Sequence, residues 1–377
     1  MGRRCPVCGG KYRELFGVNM CLPESFHLDG GIKVVCCDAC GCCFSASNST
    51  QEDYDYYYTH SNYYATNPIE NKGEEIRTLV DLCDEFINDD ASVCDVGFGS
   101  GALLREFKRR GYNKLYGIDP AEESVASLKS EVENVYRGNI YERNQDFSKA
   151  FDLVTVVDVF EHLYNPKAAL GILREYIKEK GYLAICVPDF SNIERNGNPI
   201  PDVFNQEHIN YFSGRSLDNL METEGFERVG YKDFYGVELI LLYRKSSRAF
   251  SSVEVKSDKE TNQKILEYYM RQKSNMERMD SVFDELWNED YRKIYVWGVG
   301  AFAMWLIANT RLREFELHFI DGNQQKQGME YLGSKIMPPE SLTEDWPIAI
   351  CAMHSVEAIR KNLMERKIYN RQIVFGE

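Results

Sequence analysis

Residues 93–101, VCDVGFGSG, decide the fold of this chain. An apolar strand ends here in an acid, Asp95, and a glycine-rich turn follows before a helical pattern begins. Gly97, Gly99 and Gly101 let the backbone turn tightly and approach a ligand with no Cβ in the way. A strand, a glycine turn and a helix in this order are typical of sites that hold nucleotide-shaped cofactors.

The segments that follow distinguish between cofactors, because the glycine turn alone also fits the dinucleotide fingerprint. A second apolar strand, residues 115–119, ends in Asp119, at the spacing expected for a carboxylate that binds ribose hydroxyls. A third strand begins at residue 151 and a fourth covers residues 181–188, while residues 76–87 predict a helix before the first strand. The set predicts an α/β fold and favours S-adenosylmethionine as the cofactor.

The order of these strands resembles that of class I methyltransferases, whose core is Rossmann-like. The resemblance implies that Asp95 and the three glycines hold the methionine part of the cofactor and that Asp119 holds the ribose. It also implies that Asn139 and Ile140 contact the adenine, with Asn139 standing where an aspartate is common. Asp158, near the end of the third strand, and the pair Glu161 and His162 after it are expected to shape the cofactor pocket.

Length and charge limit the classes of function. A chain of 377 residues predicts two or three domains, and a net charge of -15 disfavours a non-specific nucleic-acid binder. No apolar run is long enough to span a bilayer and no apolar signal region is found at the start, so we expect a cytoplasmic protein. Four segments are predicted: a zinc module with a tyrosine-rich connector at 1–66, the core at 67–245, a linker with a long helix at 246–290, and a C-terminal domain at 291–377.

Cysteines concentrate near the start of the chain, where eight of the twelve lie at or before Cys43. Two CxxCG motifs place Cys5 with Cys8 and Cys37 with Cys40, a spacing that lets four thiolates bind one tetrahedral ion. We therefore predict a structural zinc site of these four residues. Because Cys36 adjoins the second motif and Cys43 forms another CxxC pair with Cys40, other ligand sets stay open, as do redox or incidental cysteines.

Residues 54–64 contain an unusual number of tyrosines in a short polar stretch. Tyrosine combines a flat apolar face with a hydroxyl, which suits stacking on a sugar or a base. A connector that packs on the core explains the stretch equally well.

The segment 204–213, FNQEHINYFS, follows the fourth strand and a long polar loop. Such a loop lies at the edge of the sheet where open α/β folds bind ligands. A histidine there can take a proton from a substrate, so we assign His208 as general base, supported by Glu207. A hydrogen-bonding role for this histidine in the loop structure is the alternative.

The whole chain resembles the three-part sugar C-methyltransferases, which have a zinc module, a class I methyltransferase core and a C-terminal Rossmann-like domain. The resemblance implies a 4-keto nucleotide sugar as substrate and carries the catalytic histidine over to His208, with its neighbouring glutamate at Glu207. Tyr211, or a tyrosine of residues 54–64, is expected to donate a hydrogen bond to the enolate oxygen. Asn205 replaces a tyrosine that is common in that family, and related enzymes with a similar segment act on oxygen.

The C-terminal part repeats the opening pattern. A strand and a glycine turn occupy residues 293–303, another strand ends at Asp321, and a third covers residues 347–353, after a long helix at 265–286. We predict a second Rossmann-like domain that holds a second cofactor, helps to bind the nucleotide sugar, or is purely architectural. A C-methyltransferase, an O-methyltransferase and a binding protein with an inactive core are the three functional hypotheses.

Overall fold

A computed structural model of the chain describes residues 3–23, 26–60, 72–195, 197–246 and 254–375. Contacts divide the chain into two compact units. The first comprises Met1–Leu15, Val34–Asn196 and Glu207–Ile265, and the second comprises Phe16–Lys33, Gly197–Gln206 and Leu266–Glu377. The described helices include none with the length and apolar character that a bilayer-crossing segment needs.

The described residues form seventeen strands and ten α-helices, numbered in chain order. The strands are β1 (Tyr12–Asn19), β2 (Gly31–Cys37), β3 (Cys43–Ser45), β4 (Ser92–Val96), β5 (Lys114–Asp119), β6 (Asn134–Arg137), β7 (Phe151–Val157), β8 (Ile177–Pro188), β9 (Asn210–Tyr211), β10 (Phe226–Phe234), β11 (Glu238–Lys245), β12 (Lys293–Trp297), β13 (Glu316–Ile320), β14 (Glu330–Tyr331), β15 (Ser334–Lys335), β16 (Ile348–Ile350) and β17 (Gln372–Val374). The helices are α1 (Gln51–His60), α2 (Gly73–Asp84), α3 (Ala102–Arg109), α4 (Glu122–Leu128), α5 (Pro166–Tyr176), α6 (Ile200–Val203), α7 (Gly214–Thr223), α8 (Lys259–Asn288), α9 (Ala301–Asn309) and α10 (Val356–Glu365).

The first unit is built on a seven-stranded sheet with the order β10-β11-β8-β7-β4-β5-β6. The strands from β8 to β6 are parallel, whereas β11 is antiparallel to both of its neighbours. The chain leaves β4 toward β5 and β6 and then returns to the other side of β4 as β7. The carboxyl ends of β4 and β7 thus form the switch point where open α/β sheets bind ligands. The α/β core and its four predicted strands are confirmed.

Alternating side chains of these strands fill two apolar layers, one on each face of the sheet. Cys94 and Val96 of β4 belong to one layer, and Val93 belongs to the other. Strand β8 alternates in the same way, with Ile185 in the first layer and Cys186 in the second. Because side chains of a strand alternate between its faces, a near-continuous apolar run is what a doubly covered parallel strand requires.

The cysteine-rich segment packs into the core of the first unit. Val7 and Phe44 belong to the same apolar layer as Val154 of β7 and Ile185 of β8. A smaller sheet has the order β1-β2-β3-β9, and Cys43 of β3 pairs with Tyr211 of β9. The predicted boundary at residue 66 lies outside the described residues, and the four-segment division stays a prediction.

The second unit contains a parallel sheet with the order β13-β12-β16-β17. Strand β12 leads into Gly298, whose φ of 98° lies in the left-handed region, and helix α9 follows. Asp321, directly after β13, accepts a hydrogen bond from the backbone nitrogen of Val299 at 2.9 Å. The predicted strands of this part are therefore present, with a glycine turn and an acid at their carboxyl ends.

Substitution of Gly101 tests whether the turn that precedes α3 requires glycine at this position. Its φ is 77°, and a Cβ at this position would lie 2.7 Å from both terminal carbons of the buried Leu128 side chain. We predict that Gly101→Ala lowers the free energy of unfolding by about 1–3 kcal/mol, because backbone strain and a clash add together. Chemical denaturation measures the change.

Gly171→Ala is the matched control for this substitution. Gly171 lies inside α5, it is exposed, and a Cβ there meets no atom within 4 Å. Alanine should stabilise that helix by about 0.5–1 kcal/mol. Equal effects of the two substitutions would contradict the assignment of strain to the Gly101 turn.

Candidate active site

A cavity of about 380 Å³ opens at the carboxyl ends of the parallel strands in the first unit. This volume falls within the range of small-molecule sites. Ten of the residues predicted to form the site line the cavity: Asp95, Gly97, Gly99, Asp119, Asn139, Ile140, Asp158, Glu161, His162 and His208. Gly101 is the N-cap residue of helix α3 and does not line the cavity. The structure therefore brings the predicted cofactor residues and the predicted base to one place.

The glycine turn fits a ligand at Gly99. Gly97 and Gly99 have φ values of 79° and 51°, which side chains rarely adopt. A Cβ on Gly97 would lie 2.5 Å from Val159, whereas a Cβ on Gly99 would meet nothing within 4 Å. Packing against Val159 therefore requires glycine at position 97. The space beside Gly99 is open and could accommodate a ligand.

Asp119 is held by the backbone on both sides of its carboxylate. One oxygen accepts from the nitrogen of Gly99 at 2.8 Å and the other accepts from the nitrogen of Ala121 at 2.9 Å. Burial raises the pKa of Asp119. Because a carboxylate has about four lone pairs, each oxygen can still accept a hydroxyl of a bound ribose.

Asp95 is a buried acid at the end of β4. Its carboxylate accepts a hydrogen bond from the hydroxyl of Thr155 on β7 at 2.7 Å. Burial raises the pKa of Asp95 to about 7, with Asp119 adding a like charge nearby. A ligand with a positive group would favour its ionised form.

The tyrosine-rich stretch forms helix α1 as far as His60, and Tyr63 and Tyr64 lie outside the described residues. Tyr54 and Tyr58 line the cavity. Both Gln51 and Asn139 donate a side-chain hydrogen bond to Asp55, each at 2.9 Å. Helix α1 is thereby joined to the loop predicted to contact adenine.

Two of the residues that line the cavity are histidines whose rings contact each other. The rings of His208 and His162 are 5.0 Å apart and nearly perpendicular. The Nδ1 of His162 donates to the carbonyl of Glu207 at 3.0 Å, which leaves Nε2 as an acceptor 3.6 Å from Glu161. Burial lowers the pKa of His162 to about 4, so this ring is neutral near pH 7.

Glu207 and Tyr211, the other two residues predicted to be catalytic, do not line the cavity. The carboxylate of Glu207 accepts a hydrogen bond from the hydroxyl of Tyr57. Tyr211 is 1% exposed in β9, its ring lies 5.0 Å from that of Phe190, and it does not line the cavity. The hydroxyl of another tyrosine, Tyr58, lies 3.0 Å from Nδ1 of His162.

Charged residues that the sequence did not single out complete the cavity. Lys72 forms an ion pair with Asp158, whose φ of 52° is unusual for a residue with a side chain, and a longer one with Glu75 at 3.5 Å. Glu238, the first residue of β11, also lines the cavity. The sequence could have indicated Glu238 as a site residue, because this acid begins the apolar run ELILLY. No feature of the sequence around Lys72 indicates that this residue lines the cavity.

The four predicted cysteines form one cluster. Their sulfurs all lie within 4.8 Å of one another, with 3.5 Å between Cys5 and Cys40 and 3.4 Å between Cys8 and Cys37. Sulfurs bound to a tetrahedral zinc lie about 3.8 Å apart, so the cluster has the right size. Cys43 donates instead to Asn262 at 2.8 Å, which argues against the alternative pair of cysteines.

Comparison with known proteins finds similarity in the central part of the chain. A family model described as a methyltransferase domain matches residues 69–230. A ubiquinone biosynthesis O-methyltransferase of Neisseria meningitidis is 33% identical over 141 residues, covering 33% of this chain and 57% of that protein. The protein of the same name from Shewanella pealeana is 32% identical over 110 residues, covering 28% and 44%. The chain spans about half the length of these curated relatives.

Among solved structures, the PH0226 protein from Pyrococcus horikoshii has a TM-score of 0.42 and 17% identity, covering 51% of this chain and 99% of that protein.

The pKa of Asp95 gives a test of the buried acid. A raised pKa favours the protonated carboxyl in the folded protein, so this stabilisation is complete below about pH 4. It is lost as the pH rises toward the folded pKa of about 7. We predict that Asp95→Asn, which keeps the acceptor for Thr155, becomes progressively more stable than wild type across this range. Denaturant unfolding without cofactor at several pH values measures the difference, and a difference independent of pH would contradict the raised pKa.

Proposed function

We propose that this chain, which carries a methyltransferase domain at residues 69–230, is an S-adenosylmethionine-dependent methyltransferase that acts on a nucleotide-linked sugar. The observation that carries the proposal is that the glycine turn, Asp119 and His208 line one cavity. A cofactor held by the first two would have its reactive end within a site that also contains a base.

The cavity residues fit the cofactor in chemistry and in space. Gly99 leaves room for close approach of a ligand, and Asp119 keeps lone pairs for two ribose hydroxyls. Asn139 and Ile140 would contact the adenine, and Asp95 and Asp158 would surround the methionine part. When bound, S-adenosylmethionine supplies an electrophilic methyl carbon. The protein must then provide a nucleophile in line with it and exclude water.

His208 is the proposed general base. It would take the proton from a carbon beside a ketone, which turns that carbon into a nucleophile and leaves negative charge on the ketone oxygen. The neighbouring His162 is neutral, so it does not oppose proton uptake by His208. Tyr58, which lines the cavity, replaces Tyr211 as the donor to the developing oxygen anion.

O-methylation of a sugar hydroxyl is the second candidate. The curated relatives carry the name O-methyltransferase, and that observation favours transfer to oxygen. The same histidine would then take the proton of a hydroxyl group. C-methylation is supported by the segment with Glu207 and His208 and by the cysteine motifs, which resemble those of the sugar C-methyltransferases.

The four-cysteine cluster is proposed to hold a structural zinc ion. Four thiolates close the coordination sphere and leave no position for a substrate. A Cβ on residue 10 would lie 3.2 Å from the sulfurs of both Cys8 and Cys37. Because Gly10 has no side chain, it does not crowd these two sulfurs. Thiolate ligands are kept reduced in the cytoplasm, where we propose that the enzyme acts, and the second unit is proposed to be a second Rossmann-like domain.

Incubation with S-adenosylmethionine and a panel of nucleotide sugars, followed by mass spectrometry, tests the proposed function. We expect a methylated 4-keto sugar with wild type. In His208→Asn we predict that kcat falls by about a hundredfold or more while cofactor affinity changes by less than about threefold. His354→Asn, an exposed histidine of the second unit, is the control. Wild-type turnover in His208→Asn would refute the base assignment, and a methylated hydroxyl would select the second candidate.

Metal analysis tests the cysteine cluster. We predict about one zinc per chain in wild type and loss of the ion in Cys40→Ser, because a three-thiolate site binds more weakly. Cys83→Ser changes a buried cysteine of α2 outside the cluster and should leave the zinc content unaltered. Equal zinc content in wild type and Cys40→Ser would show that these thiolates are not the ligands.

A further inference from the structure

Arg3 is a buried cation of the first unit, with only 5% of its surface exposed. Its guanidinium donates to five acceptors: the carbonyls of Ser45 (3.2 Å), Leu163 (3.1 Å), Tyr164 (3.1 Å) and Ile209 (2.6 Å) and the side-chain amide oxygen of Asn210. The rings of Phe44 and Tyr164 each lie 5.5 Å from its central carbon. All donors of the planar group are thus directed at backbone and amide oxygens.

Burial of the Arg3 guanidinium costs free energy. Burial removes the guanidinium of Arg3 from water, and no carboxylate of the described residues forms an ion pair with it. Hydrogen bonds to neutral oxygens compensate only part of the desolvation of a guanidinium. A buried charge of this kind is therefore expected where several chain segments must be held in a fixed geometry.

The segments that Arg3 joins are those that carry the two histidines. Leu163 and Tyr164 directly follow His162, and Ile209 directly follows His208. The nitrogen of Ile209 also donates to the carbonyl of Glu161 at 2.9 Å.

Asn210 reinforces the same junction. Its amide nitrogen donates to the carbonyls of Phe160 and Leu163, both at 2.8 Å, while its oxygen accepts from Arg3. Arg3 and Asn210 together fix the turn with His162 against the strand that follows His208.

The same guanidinium connects this junction to the cysteine cluster. Arg3 precedes Cys5 by two residues, and Ser45 is the last residue of β3, whose partner strand β2 ends at Cys37. The nitrogen of Ser45 donates to the carbonyl of Ile209 at 2.9 Å. A fixed Cys5 therefore limits where Arg3 can lie.

We propose that Arg3 is a positioning residue that sets the place of His208 relative to His162, and that the four-cysteine cluster acts on the active site through it. The catalytic part of this inference rests on the function proposed above. Lysine cannot replace Arg3, because one ammonium group cannot present five donors in a planar fork.

Arg3→Lys in the full chain tests the proposal, with Arg4→Lys as the matched control at an adjacent exposed arginine. We expect kcat to fall about tenfold or more in Arg3→Lys, whereas KM and the affinity for S-adenosylmethionine change by less than about threefold. Hydrogen exchange of the Ile209 amide should accelerate about tenfold, while amides of the central strand β7 exchange as in wild type. Arg4→Lys should match wild type in every measurement.

The exchange measurement also separates this inference from the proposed function. An Ile209 amide that exchanges equally slowly in Arg3→Lys and in wild type overturns the positioning role, whatever the turnover. If the wild-type chain transfers no methyl group, the proposed function fails, and faster exchange confined to this junction still supports the role of Arg3. A fall in kcat matched by an equal loss of cofactor binding would indicate general destabilisation and overturn the proposal.

Discussion

The hydrogen bond from the nitrogen of Gly99 to the carboxylate of Asp119 is the contact on which the proposed cofactor site depends. It joins the turn after β4 to the end of β5, so the two strand ends cannot move apart. Gly99 has a φ of 51°, and a Cβ at this position would point into open space. A side chain at this position would occupy that space and strain the backbone.

Burial of titratable groups is the second general feature of this cavity. Asp95 and Glu161 are buried acids whose pKa values are raised by loss of water, and burial keeps His162 neutral. A low dielectric constant strengthens the interaction between the remaining charges, including the ion pair of Lys72 and Asp158. Such a cavity suits the proposed reaction, in which a cationic cofactor transfers its methyl group and a base takes up a proton.

The sequence predicted the parts of the site that depend on local order. Strand ends marked by Asp95 and Asp119 and a turn of three glycines require only neighbours in the chain, and a four-cysteine cluster follows from two short motifs. It did not predict Arg3, because its acceptors come from segments about 40, 160 and 206 residues away. It also placed Tyr211 in the site from its residue type and its position in the loop, although both residues of β9 are buried and the Tyr211 side chain belongs to the core.

Calorimetric titration of S-adenosylhomocysteine into wild type and Asp119→Asn tests the central claim that this cavity is the cofactor site. We expect binding to wild type and an affinity weakened by about tenfold or more in Asp119→Asn, because the amide group keeps one acceptor oxygen and replaces the other with a donor nitrogen. The variant should keep the fold, since one acceptor remains for the turn. Equal affinity in the two proteins, or no binding to wild type, would contradict it.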